Sequence, residues 1–76
     1  MNKERRDILR GVKRELTTLK NKIDKTRDAE DEARDNTPEN LVYSDRYEQS
    51  EKSSEAMDEA IDHIDSAIES LDEVLD

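Results

Sequence analysis

The sequence predicts an all-α chain folded as an antiparallel two-helix hairpin of the coiled-coil type. Three observations carry that prediction. Apolar residues recur three and four apart in two separate runs, a single interruption between the runs holds the only proline, and the basic and acidic residues fall in different halves. The 76 residues suit one domain, 1–76, with a first helix over about 3–35, a turn over 36–44 and a second helix over about 45–75.

The first run is Leu9, Val12, Leu16, Leu19, Ile23 and Thr26. Its spacing is that of the a and d positions of a heptad, which lie on one side of a helix and form a seam. The second run is Tyr47, Ser50, Ser54, Met57, Ile61, Ile64, Ile68, Leu71 and Leu75. Neither run contains proline, and Gly11 is the only glycine. Two helices of matched length around one break fold most simply as a hairpin. A composition of 46% charged and 30% hydrophobic residues is shared by coiled coils and disordered chains, and the periodicity decides for the coiled coil.

The break is the stretch from Asn36 to Glu48. Asn36 tolerates the left-handed conformation that ends many helices. Thr37, Pro38 and Glu39 read as a helix cap, a proline at the first helical position and an acid in the first turn. Ser44 followed by Asp45 and Glu48 is a second start signal. As a connector, this stretch would fold Leu41, Val42, Tyr43 and Tyr47 over the end of the bundle. As a working surface, it would offer Tyr43, Arg46 and Tyr47, residue types favoured at the centres of protein interfaces.

Charge sets the direction of pairing. Residues 1–27 carry ten Lys or Arg and four Asp or Glu, whereas residues 28–76 carry three and eighteen. The e positions of the first helix are Lys13, Lys20, Arg27 and Arg34, and those of the second are Glu51, Asp58, Asp65 and Asp72. In an antiparallel pair e faces e. Folding near residue 40 therefore sets Lys13 against Asp72, Lys20 against Asp65, Arg27 against Asp58 and Arg34 against Glu51. Exposed pairs add little stability, but they disfavour parallel and slipped alternatives. The basic half then complements the acidic half and is not a nucleic-acid arm.

The g positions are smaller and largely apolar: Ile8, Glu15, Lys22 and Ala29 in the first helix, Ser53, Ala60, Ala67 and Val74 in the second. This stripe is wider than a two-stranded seam needs. It predicts that hairpins pair into a four-helix bundle as a homodimer, with Ile8, Ala60, Ala67 and Val74 in the interface. The alternative is docking of another protein's helix.

No motif for catalysis stands out. There is no cysteine, which excludes disulfides and thiolate chemistry and suits a reducing compartment. The lone His63 sits with Glu59 and Asp62 on an outward face, in a spacing unlike the inward Glu-x-x-His of carboxylate-bridged metal bundles. No calcium loop or phosphate-cradling glycine loop is present, so neither enzyme, metal nor cofactor is expected. The first residues include no apolar run long enough for a signal peptide or membrane span.

A formal net charge of −9 argues against direct nucleic-acid binding and favours a basic partner. After Lys52 there is no Lys or Arg. Positions b and f of the second helix carry Glu55, Glu59, Asp62, Glu69 and Glu73, a row of carboxylates along the outer face. Such a row can be a solvated face, or it can present phosphate-like charge to a basic, nucleic-acid-binding groove.

Residues 28–76 resemble a group of small acidic helical proteins encoded by bacteriophages and prophages, mainly of Gram-positive bacteria. The likeness rests on Asn36, Pro38, Glu39, Asn40 and Leu41, then Ser44, Asp45, Arg46 and Glu48, followed by acids alternating with Ala and Ile. The strongly basic first helix and the pair Ser53-Ser54 depart from that pattern. The resemblance implies a phage protein acting in the cytoplasm of a bacterial host. The group has no established activity, but small acidic phage proteins often bind and disable host machinery, so this context together with the acidic face favours a non-enzymatic inhibitor of a defence or nucleic-acid-processing protein, in the manner of an anti-CRISPR or a nucleic-acid mimic. The alternative is a structural self-assembly module with no inhibitory role.

Overall fold

The computed structural model describes all residues, 1–76. Two helices, α1 (Lys3–Asp35) and α2 (Asp45–Leu75), pack against each other, with a short 3-10 turn (Glu39–Leu41) between them and no strand. The result is a rod of 60 × 14 × 14 Å. Each long helix is about 45–50 Å at the usual rise of about 1.5 Å per residue.

The helix starts are chemically marked. Asn2 accepts a hydrogen bond from the Arg5 amide at 2.9 Å, and Ser44 accepts one from the Tyr47 amide at 3.2 Å. Each satisfies an amide that the first helical turn leaves without a backbone partner.

Three sequence expectations for the turn need correction. Asn36 ends α1 at φ −87° and ψ 2°, and no residue takes a positive φ. The turn closes instead through hydrogen bonds from Asn36 N to Glu32 O at 3.1 Å and from Thr37 N to Arg34 O at 3.0 Å. Those bonds use the last carbonyls of α1 without a left-handed residue. Thr37 is not a cap: Pro38 precedes the 3-10 turn, and the Thr37 hydroxyl points back to the Ala33 carbonyl. Tyr43 does not close the bundle, for it is 92% exposed, and Leu41 is also exposed. Val42 and Tyr47 are the half-buried members of that group.

Only one residue of the chain, Ser54, is buried, and it is polar. Leu9, Leu16 and Ile23 of α1 are half-buried, as are Met57, Ile61, Ile64, Ile68, Leu71 and Leu75 of α2. Two helices alone cannot enclose a seam side chain, because each touches a partner on one side and solvent on the other. Antiparallel packing is held on one flank by ion pairs. Lys13 pairs with Asp72, Lys20 with Asp65 at 2.8 Å and Arg27 with Asp58 at 2.6 Å. These are three of the four cross-helix pairs that the e positions predict.

Candidate functional site

The fourth basic e residue is differently engaged, and it reveals a feature that the heptad reading missed. Arg34 does not pair with Glu51. Its side chain turns into the seam, where Nη1 donates to the Ser54 hydroxyl at 2.8 Å and to the Ser50 carbonyl at 3.1 Å. Its Nη2 donates to Asp31 Oδ1 at 2.7 Å. Ser54 in turn donates to the same Asp31 oxygen at 2.6 Å, and Ser50 donates to Glu30 at 3.0 Å. No buried side-chain polar atom lacks a partner. A buried hydroxyl without partners would be costly, so a complete network is the condition for polar residues at this depth.

Charge in the network is mutually reinforced. The Ser54 hydroxyl and then the Arg34 guanidinium hold the Asp31 carboxyl below its ordinary value of 3.8. Asp31 in turn raises Arg34. Along the same flank, the hydrogen bonds that Arg27 donates to Asp58 and Asp28 raise the arginine above its ordinary value. The sequence signal for this layer was the polar occupancy of seam positions 30, 50 and 54, opposite an arginine one turn away.

Eight of the twelve carboxylates from Asp45 to Asp76 fall into two sets. Asp58, Asp65 and Asp72 are taken up by the basic residues of α1. Glu55, Glu59, Asp62, Glu69 and Glu73 are exposed on the far side, and none of them lies within ion-pair distance of a cation. The cross-helix ion pairs thus leave one side of α2 with uncompensated charge running along the rod.

The turn residues form a second surface. Arg46 and Tyr47 border a shallow depression at the turn end, with Pro38, Leu41, Ser44 and Ser50. Tyr43 stands outside it and faces solvent. The structure therefore brings together Arg46 and Tyr47 but not Tyr43.

The apolar g residues form a third surface. Ile8 is 60% exposed and Val74 41% exposed, Ala67 is exposed and Ala60 is half-buried. Leu19, a seam residue beside that stripe, is 50% exposed. Between the helices on this flank runs an open groove lined by Lys22, Ile23, Thr26, Ala56, Met57 and Ala60.

His63 is exposed, and no cluster of three or more His, Asp or Glu residues is arranged to hold a metal ion. No helix is long and apolar enough to cross a membrane. No family model, curated protein or solved structure matches the chain.

Proposed function

We propose that this chain is a non-enzymatic binding protein of phage type that inhibits a bacterial defence or nucleic-acid-processing protein. The acidic side of α2 docks on a basic surface of the target that otherwise holds nucleic acid. Glu55, Glu59, Asp62, Glu69 and Glu73 supply the charge, and Arg46, Tyr47 and Tyr43 at the turn end supply shape. The host cytoplasm is the site of action, and neither membrane nor direct nucleic-acid contact enters the reading.

One observation supports this reading above the rest: Glu55, Glu59, Asp62, Glu69 and Glu73 form no ion pair, while Asp58, Asp65 and Asp72 are paired within the hairpin. An unscreened row of one sign on a rigid rod raises the encounter rate with an oppositely charged groove. The test is capture from bacterial lysate with a tagged hairpin and with its Glu55→Lys, Asp62→Lys, Glu69→Lys variant. The expected result is a basic nucleic-acid-binding protein held by the wild type, released by competing DNA and absent from the variant. Equal capture by both proteins rejects the acidic side as the docking surface.

A second reading is a self-assembly module with no host target. It draws on the absence of any buried apolar side chain in the hairpin, which leaves the g flank in need of a cover. Both readings include a homodimer. They part on whether charge reversal on the outer side of α2 changes anything beyond solubility.

A further inference from the structure

All twelve carboxylates between Asp45 and Asp76 fall on the b, e and f positions of α2. Its c positions are Gln49, Ala56, His63 and Ser70, and its g positions are Ser53, Ala60, Ala67 and Val74. The strip of α2 bordering the open groove is therefore free of charge, on a helix that is acidic elsewhere. On α1 the exposed apolar side chains Ile8, Val12 and Leu19 all occupy d or g positions, on the same flank. The opposite flank is closed by the ion pairs of the e rows. Only one side of the hairpin thus combines exposed aliphatic residues, small residues and a strip of α2 without carboxylates.

The charges at the g positions of α1 are self-complementary, while Lys25 and Glu32 lie farther round the helix at c. Glu15 and Lys22 occupy successive g positions of α1. A two-fold axis between them, at the level of Thr18 and Leu19 and perpendicular to the rod, sets Glu15 of each copy against Lys22 of the other. The same operation sets Ile8 against the second copy's Ala29, a large residue against a small one. It carries the second copy's exposed Val12 towards the groove beside Ile23 and Met57. At that level α2 offers Ala60 and Ala67, small enough for close helix approach. Reciprocal contacts of this kind define an isologous interface. A face as long and wide as the rod, 60 × 14 Å, spans about 800 Å² in projection, the scale on which standard-size interfaces form.

We propose that the open d/g side of the hairpin is the interface with a second copy of this chain, related by that perpendicular two-fold, so that the two turns lie at opposite ends of a four-helix bundle. The inference rests on the self-association reading and adds its symmetry and register. It also leaves the outer carboxylates of α2 uncovered on both copies.

The axis separates this arrangement from the alternative with both turns at one end. There, α1 would face the second copy's α2, with Glu15 level with Ser70 and Lys22 level with His63, so neither would meet an oppositely charged residue on the c and g positions. Sedimentation equilibrium of the full chain and two charge variants distinguishes them, with circular dichroism to verify helix content. The wild type is expected to be a dimer. Glu15→Lys, which sets like charges together, should weaken it by about tenfold or more. Glu15→Lys combined with Lys22→Glu should restore it. Thr18→Cys should form a disulfide-linked dimer on oxidation in a chain with no other cysteine, whereas Ser66→Cys on the outer side should not. A wild type that stays monomeric at tens of micromolar overturns self-association itself. A dimer in which the double variant is no better than Glu15→Lys, and in which Thr18→Cys does not link, overturns the two-fold while self-association stands.

Discussion

The Nη1 of Arg34 donates to Ser54 Oγ at 2.8 Å, across the seam between the helices and at the only residue that the fold buries. The same hydroxyl donates to Asp31, so one small side chain joins a cation and an anion of α1 to the N-terminal third of α2. The layer is specific because its partners occur once. Sliding α2 by a heptad would set Arg34 against Tyr47 or Ile61 in place of Ser54.

Ser54→Ala removes both of those hydrogen bonds and leaves Arg34 with Asp31 and Ser50. The expected loss is about 1–2 kcal/mol. In a domain of this size that corresponds to a fall in Tm of roughly 4–16 °C. Thermal denaturation followed at 222 nm checks it. A change below about 1 °C would show that the layer contributes nothing to stability.

The Asp31 carboxyl lies below its ordinary value of 3.8 in the folded chain, so the unfolded chain binds its proton more readily. Its contribution to stability is therefore present in full above about pH 4 and fades as the pH falls through the folded value. The Tm difference between wild type and Asp31→Asn is expected to be constant at neutral pH and to shrink in acid. Taking the difference cancels the relief of repulsion among the other carboxylates. A gap that widens below pH 4 would contradict the assignment.

Lys20 and Asp65 form the most central of the cross-helix pairs, at 2.8 Å. Lys20→Glu should destabilise the hairpin, and the swapped pair Lys20→Glu with Asp65→Lys should recover most of the loss. The coupling expected from a double-mutant cycle is about 0.2–1 kcal/mol and should decline as salt rises from 0.1 M to 1 M. No coupling at low salt would mean that the pair follows the register and does not help to set it.

Gly11 lies inside α1 with a negative φ, and a Cβ there would meet only the Arg14 guanidinium, at 3.9 Å. Gly11→Ala should therefore stabilise the chain by about 0.5–1 kcal/mol through the lower backbone entropy of its unfolded state. Chemical denaturation reads this as a higher midpoint with an unchanged slope. A lower midpoint would indicate that the bare backbone at Gly11 is needed for close approach by something outside the hairpin.

The turn shows where local pattern stops being a guide. Ser44 was legible as a cap, because its capping bond is made within four residues. The end of α1 was not, because Asn36 and Thr37 are satisfied by the carbonyls of their own last turn and the left-handed residue suggested by the asparagine is not used. Tyr43 looked like a lid for the bundle, but after the three residues of 3-10 turn it faces solvent.

By itself, the sequence determined the two helices, their antiparallel sense and three of the ion pairs on their e flank. Those follow from periods of three and four and from the sorting of charge, which any helix expresses along its own surface. It also set the b and f carboxylates of α2 away from the basic e row, since that is a matter of position around one helix, but it paired Glu51 with Arg34, and Glu51 forms no ion pair. Only the tertiary structure decided that Arg34 leaves the e row for Ser54 and Asp31, because the room for a guanidinium in the seam exists only when Ser50 and Ser54 of α2 stand opposite Glu30 and Arg34 of α1. The tertiary structure alone also decided that no apolar side chain is buried, since burial depends on how many neighbours surround a seam, and two helices enclose it on too few sides.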